Sequence, residues 1–169
     1  AGLCLLIIWL PRLFNMLSLL TEDGSDLKDT EARVKAIFIL QRLVTDEPQE
    51  YKEQELAFNR ILTGCPFQVP LPKTLKLADY EIMTIESMII GIKNNCEKFK
   101  NISAKGFQLN FIERPGRLEQ REDKWVLYVE GRSYDMLLDF LPWSYRLVQL
   151  PWLEKRINVV WRDKGEFDF

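Results

Sequence analysis

The chain contains no histidine. That absence removes the side chain most used as a general base near neutral pH, and the commonest catalytic metal ligand. Ser-His and Cys-His catalytic pairs are excluded with it. Glycine is never clustered, so no Gly-x-Gly-x-x-Gly, no P-loop and no Gly-x-Ser-x-Gly occurs. No cofactor is therefore expected. Cysteine is scarce. Cys4, Cys65 and Cys96 form an odd set with no zinc spacing. They stand among apolar neighbours and read as reduced core residues made in a reducing compartment. An excess of either charge is also lacking. The 23 basic and 25 acidic residues leave a net charge of −2, so no basic footprint points to nucleic acid. A bilayer span needs about 20 apolar residues. The run Leu3–Leu10 is far shorter, is stopped by Pro11-Arg12, and lacks the basic lead of a signal peptide. It reads as a buried helix, with a membrane-surface contact as the alternative. The chain opens at Ala1 rather than methionine, which reads as processing or as the ordered part of something longer.

What is present is enough for a core. The 169 residues are 47% hydrophobic and 28% charged, an ordinary globular balance. Gly2–Leu20 is apolar on nearly every face, so it predicts a buried helix bent or split at Pro11. Asp29 or Thr30 can cap a helix over Glu31–Thr45, where Ala36, Ile39, Leu40 and Leu43 share one face. A third helix is predicted over Tyr51–Thr63, closed by Gly64. Asp79–Phe99 predicts a long helix. Its Ile82, Ile85, Ile89, Ile92, Cys96 and Phe99 follow a 3-4 spacing that suits either a core face or a short coiled-coil seam. Ser103 can cap a helix over Ala104–Ile112, with Phe107 and Phe111 stacked one turn apart.

The period changes after Pro115-Gly116. Arg117–Glu122 and Lys124–Glu130 predict a hairpin, and Tyr145–Leu150 and Ile157–Arg162 two more strands. Between them lies the tripeptide Leu-Pro-Trp twice, at Leu141-Pro142-Trp143 and Leu150-Pro151-Trp152. Proline ends what precedes it, and each tryptophan offers a large apolar ring with one N–H donor. The first copy should end a short helix over Tyr134–Phe140. The expected fold is thus α+β, a mainly helical N-terminal part followed by a small antiparallel sheet. Residues 1–65 form the helical part and 66–73 a proline-rich linker. Residues 74–169 carry the long helix, the short helix and the sheet, with a polar tail at 163–169 expected to fray.

Candidate chemistry is thin. Asp135 and Asp139 stand four residues apart and could share a helix face, with Glu113 as a third carboxylate. A carboxylate-dependent hydrolase or delivered effector is the enzymatic alternative; no enzyme is the favoured reading. The run from Glu113 to Lys124 alternates in sign, including Arg114, Arg117, Glu119 and Arg121. Such a run suits a solvated hairpin with cross-strand ion pairs, or a rim that sets register against a charged partner. Trp143, Trp152 and Trp161, with Leu6, Trp9, Leu10 and Phe14 of the first segment, are the other structural or interface candidates.

These motifs together resemble the C-terminal region of the tape measure proteins of contractile injection systems, which are phage-tail-like bacterial machines. The opening Ala1-Gly2-Leu3-Cys4-Leu5-Leu6 and Leu10-Pro11-Arg12-Leu13-Phe14 look like that family's first segment. Ala36–Leu43 and Leu62-Thr63-Gly64-Cys65-Pro66 are similar to later elements. Phe111–Leu118, Tyr134–Asp139, the two Leu-Pro-Trp corners and Val159-Val160-Trp161 carry the most specific part. The resemblance implies a structural assembly protein that helps set tube length, anchored at the baseplate end of the tube lumen. Implied partners are spike, hub and baseplate proteins, the inner tube and further copies of the chain as a trimer or hexamer. Implied locations are the bacterial cytoplasm during assembly and then the particle lumen. The resemblance implies no catalytic residues.

Overall fold

The structure, a computed structural model, describes residues 1–162. The polar tail at 163–169 lies outside the described residues. Helices come first and strands last, as the α+β reading requires. The first segment differs in detail. Gly2–Trp9 is a 3-10 helix, and α1 (Leu10–Met16) follows it, with Pro11 in the first turn of α1. Proline is tolerated there because its missing N–H has no intrahelical partner to lose. Gly2 is needed for a close approach. A Cβ on it would stand 2.0 Å from the carbonyl oxygen of Phe111.

Helix α2 (Thr30–Val44) begins as expected, with the Asp29 carboxylate accepting from the Ala32 N–H at 2.7 Å. The third helix is shorter than its sequence suggests. Only Ala57–Leu62 is α3, because residues 51–56 form turns. There the Tyr51 N–H donates to the Lys73 carbonyl and the Glu55 carboxylate accepts from the Lys52 N–H. The proline-rich stretch 66–73 runs back over this part. Arg60 donates to the carbonyls of Pro66 and Val69, and Val69 and Leu71 pack on Ile37, Phe38, Leu56 and Cys65.

Helix α4 (Asp79–Asn94) stops short of Phe99, and Glu97–Phe99 forms a separate 3-10 turn. The 3-4 pattern of Ile85, Ile89, Ile92, Cys96 and Phe99 faces the core, so it is not a seam for another chain. Ser103 caps α5 (Ala104–Phe107), accepting from the Gly106 N–H at 3.0 Å. The helix then widens into a π-helical turn, Gln108–Ile112. Its buried Gln108 donates to the Leu43 carbonyl at 3.1 Å and so satisfies the open end of α2. Phe107 and Phe111 both stack on Phe99.

Four strands follow among the described residues: β1 (Gly116–Gln120), β2 (Lys124–Val129), β3 (Leu147–Val148) and β4 (Arg156–Trp161). Their order is β1-β2-β4-β3. The β1–β2 hairpin is antiparallel, as expected. The sheet is mixed, however, because β2 and β4 run parallel. This corrects the all-antiparallel expectation. Parallel neighbours need a crossover of a dozen or more residues, and the stretch 130–155, with a 3-10 helix at Ser133–Phe140, supplies it. Leu127, Val129, Ile157, Val159 and Trp161 line the inner face. They join one core cluster that begins at Leu3 and includes α1, α2 and α4.

Candidate functional site

Each Leu-Pro-Trp corner takes its shape from its proline and its destination from its tryptophan. Leu141 is extended before Pro142 and ends the 3-10 helix. The Trp143 indole N–H donates to the Leu5 carbonyl at 3.0 Å, 138 residues away in sequence. Its ring meets Trp9 edge-on, with centroids 4.4 Å apart. The Trp152 indole N–H donates to the Leu62 carbonyl at 2.9 Å, closing the last turn of α3. The Trp152 ring lies 5.6 Å from Phe14. The two corners therefore fasten the C-terminal sheet region to the first segment and to α3. Leu6, Leu10 and Phe14 are buried in the core under them, and Trp9 is half-buried.

Behind the sheet lies a buried ion pair. Arg114 leaves the π-helical turn, Asp135 sits on the 3-10 helix, and Trp161 ends β4. Both charged side chains are fully shielded from solvent. The Asp135 carboxylate accepts from both Arg114 η-nitrogens, from the Arg132 N–H at 2.8 Å and from the Trp161 indole at 2.9 Å. Three of those bonds fall on Oδ2 and one on Oδ1, so both carboxylate oxygens are engaged. Arg114 also donates to the carbonyls of Asn110 at 2.6 Å and Glu130 at 2.8 Å. The Tyr134 and Trp161 rings flank its guanidinium at 5.2 and 5.4 Å. The cluster thus ties together a helix end, a loop, a 3-10 helix and a strand.

Arg114, a sequence candidate for an interface, is in the interior. Arg117 is exposed on the outer face of the sheet, 4.5 Å above the Tyr128 ring. Asp135 and Asp139 do not converge. A 3-10 helix has three residues per turn, so positions four apart point to different sides. Asp139 is exposed and bonds Arg162, whose cation holds the Asp139 carboxyl below its usual range. Glu113 is exposed as well. Among the described residues no group of three or more His, Cys, Asp or Glu could hold a metal. The three cysteines are free and buried, and burial pushes the Cys4 thiol up to about 12. No helix among the described residues is long and apolar enough to cross a membrane.

Sequence reasoning missed the pairing of Arg114 with Asp135 and Trp161, and also the Lys35–Glu81 pair that braces α2 against the start of α4. Nothing in Ala78-Asp79-Tyr80-Glu81 marks the second. The first had one weak signal, on one partner only: Asp135 is followed by the apolar run Met136-Leu137-Leu138, whereas Arg114 stands in a charged run.

The fold and these contacts define a structural α+β domain whose buried polar groups hold its own parts together. Over residues 1–161 the chain matches the family described as contractile injection system tape measure protein, and it belongs to that family. No curated protein and no solved structure matches the chain.

Proposed function

We propose that this chain is the anchoring, C-terminal part of a tape measure protein, seated in the tube lumen at the baseplate end. There it would hold a measuring segment in place while the tube grows, and so serve length control. The observation that carries this reading is the family match across residues 1–161. The chemistry of the domain supports it. The buried carboxylate of Asp135 has both oxygens held by the chain's own donors, and the Trp143 and Trp152 corners clamp distant parts of the chain together. An anchor under tension needs such cross-links more than it needs a reactive group.

In this reading the partners are spike, hub and inner-tube proteins, and bound copies follow the three- or six-fold symmetry of the tube. The protein is made in the bacterial cytoplasm and ends inside the particle, and it is not an enzyme. The test is a density map of assembled particles, with and without this domain. The expected result is density for the domain above the spike, and tubes of irregular length or none when the domain is deleted. Density elsewhere, or tubes of unchanged length and yield after deletion, would overturn the reading.

A further inference from the structure

The sheet has two edges, and they are treated differently. The β3 edge is two residues long and is bracketed by Pro142 and Pro151, devices that prevent strand addition. The β1 edge is longer, with no proline inside it. Which of its backbone groups point outward follows from the hairpin ladder. The Glu130 N–H donates to the Pro115 carbonyl, and the Arg121 N–H to the Lys124 carbonyl. Bonded pairs alternate along an antiparallel ladder, so residues 115, 117, 119 and 121 face β2. Gly116, Leu118 and Gln120 therefore turn their N–H and C=O groups away from the sheet.

The side chains of β1 alternate as well. Arg117, Glu119 and Arg121 stand on the outer face, and the Glu119 carboxylate is shared by both arginines. Leu118 points to the inner face and is half-buried against the core. This is the charge alternation that the sequence shows between Glu113 and Lys124, placed on a free edge.

We propose that β1 pairs with β1 of a second copy, antiparallel about a two-fold axis through Leu118. In that register the outward-facing residues meet one another: Gly116 opposite Gln120, and Leu118 opposite Leu118. About six backbone hydrogen bonds form across the axis. Arg117 of each copy falls directly opposite Glu119 of the other, twice, at the positions where cross-strand side chains come closest. The two neighbouring two-fold pairings fail on charge. Shifting by one pair in one direction sets Glu119 on Glu119 and Arg117 on Arg121, and in the other direction sets Arg117 on Arg117. A parallel pair in register also sets like on like. Pairing about Gln120 would also set Glu119 on Arg121, but it runs past the end of β1 and places Leu118 opposite Glu122, outside the strand. Charge pattern and strand length together select the register about Leu118, with a second copy of this chain as the partner. The two four-stranded sheets would then run on as one. A two-fold pair cannot match a cyclic tube, so the pair is the form of the free protein, closing the edge until the protein is loaded.

Sedimentation velocity on the purified chain, from about 5 to about 500 µM, tests the proposal. An interface this small sits below the roughly 1,200 Å² of stable complexes, so a dissociation constant on the order of 10–100 µM is expected. Gln120→Pro removes an outward N–H without touching the core, and should weaken association about tenfold or more. Arg117→Glu and Glu119→Arg should each do the same, while an equimolar mixture of those two variants should associate again, because each then faces its opposite. Thermal melts of each variant confirm that it is folded, and the mixture keeps the test valid if a single change is mildly destabilising. A chain that stays monomeric at about 500 µM overturns the proposal. So does a dimer that ignores the β1 substitutions, or single variants that do not associate when mixed.

Discussion

Asp135→Asn tests the buried ion pair most directly. The substitution keeps the side-chain volume, so no cavity forms and the effect is electrostatic. An asparagine can accept at one oxygen only. Its NH₂ group must then face a donor: Arg114, or the Arg132 N–H and Trp161 indole that share one carboxylate oxygen now. Arg114 stays charged and fully shielded from solvent with no counter-charge. Breaking a buried pair by removing one partner costs about 3–5 kcal/mol. In a domain of this size each kcal/mol lowers the melting temperature by about 2–4 °C, so a fall of roughly 6–20 °C is expected. Circular-dichroism melts and urea unfolding at neutral pH measure it, with Asp139→Asn as the surface control that should melt close to the parent. The loss should change little between low and high salt, because a buried pair is screened far less than a surface one. Arg114→Met combined with Asp135→Leu should recover a large part of the loss, since replacing both charges by apolar groups leaves nothing buried and unpaired. A loss below about 1 kcal/mol for Asp135→Asn, or a double substitution as damaging as the single, would refute the account.

The two corners give a graded series. Trp152→Phe removes the indole donor to Leu62 with only part of the ring volume and should cost about 1–2 kcal/mol in urea unfolding, whereas Trp152→Ala empties the whole ring volume and should cost about 3–5 kcal/mol. Equal effects would mean that the lost bond to Leu62 accounts for the whole cost and the ring's core volume for none of it. Two glycines should respond oppositely to alanine. Gly64 has φ +63°, and a Cβ there would meet the Trp152 carbonyl at 3.3 Å, so Gly64→Ala should destabilise by about 1–2 kcal/mol. Gly91 lies in α4 with open space beside it, so Gly91→Ala should stabilise by about 0.5–1 kcal/mol in the same assay. Maleimide labelling followed by mass spectrometry should find Cys4, Cys65 and Cys96 protected in the native protein and all reactive in urea, because the thiols are buried. Rapid native labelling of Cys4 would contradict its place in the core.

Much of this architecture is legible in local pattern. The helix over Thr30–Val44 follows from a capping aspartate and a 3.6-residue apolar period, both of which are properties of neighbours in the chain. The Ser103 cap and the β1–β2 hairpin are legible for the same reason. The two Leu-Pro-Trp corners stand out because proline acts on its own backbone whatever surrounds it. Residue types absent from the chain are equally decisive, since no tertiary arrangement can supply a histidine.

The tertiary structure decided what depends on residues far apart. Alternating apolar residues in β2 and β4 say that each is a strand, but alternation carries no direction, so the parallel pairing appears only once the crossover is placed. The helix over Asp79–Phe99 keeps its period through Cys96, yet it ends at Asn94, and the period cannot report that break. Arg114 and Asp135 look like surface charges in sequence, because charge alone predicts exposure. They are buried because each supplies what the other lacks, across 21 residues, with Trp161 closing the set. The corners show the division most clearly. The prolines bend the chain by local stereochemistry, while the carbonyls of Leu5 and Leu62 that receive the tryptophan N–H groups are chosen by packing.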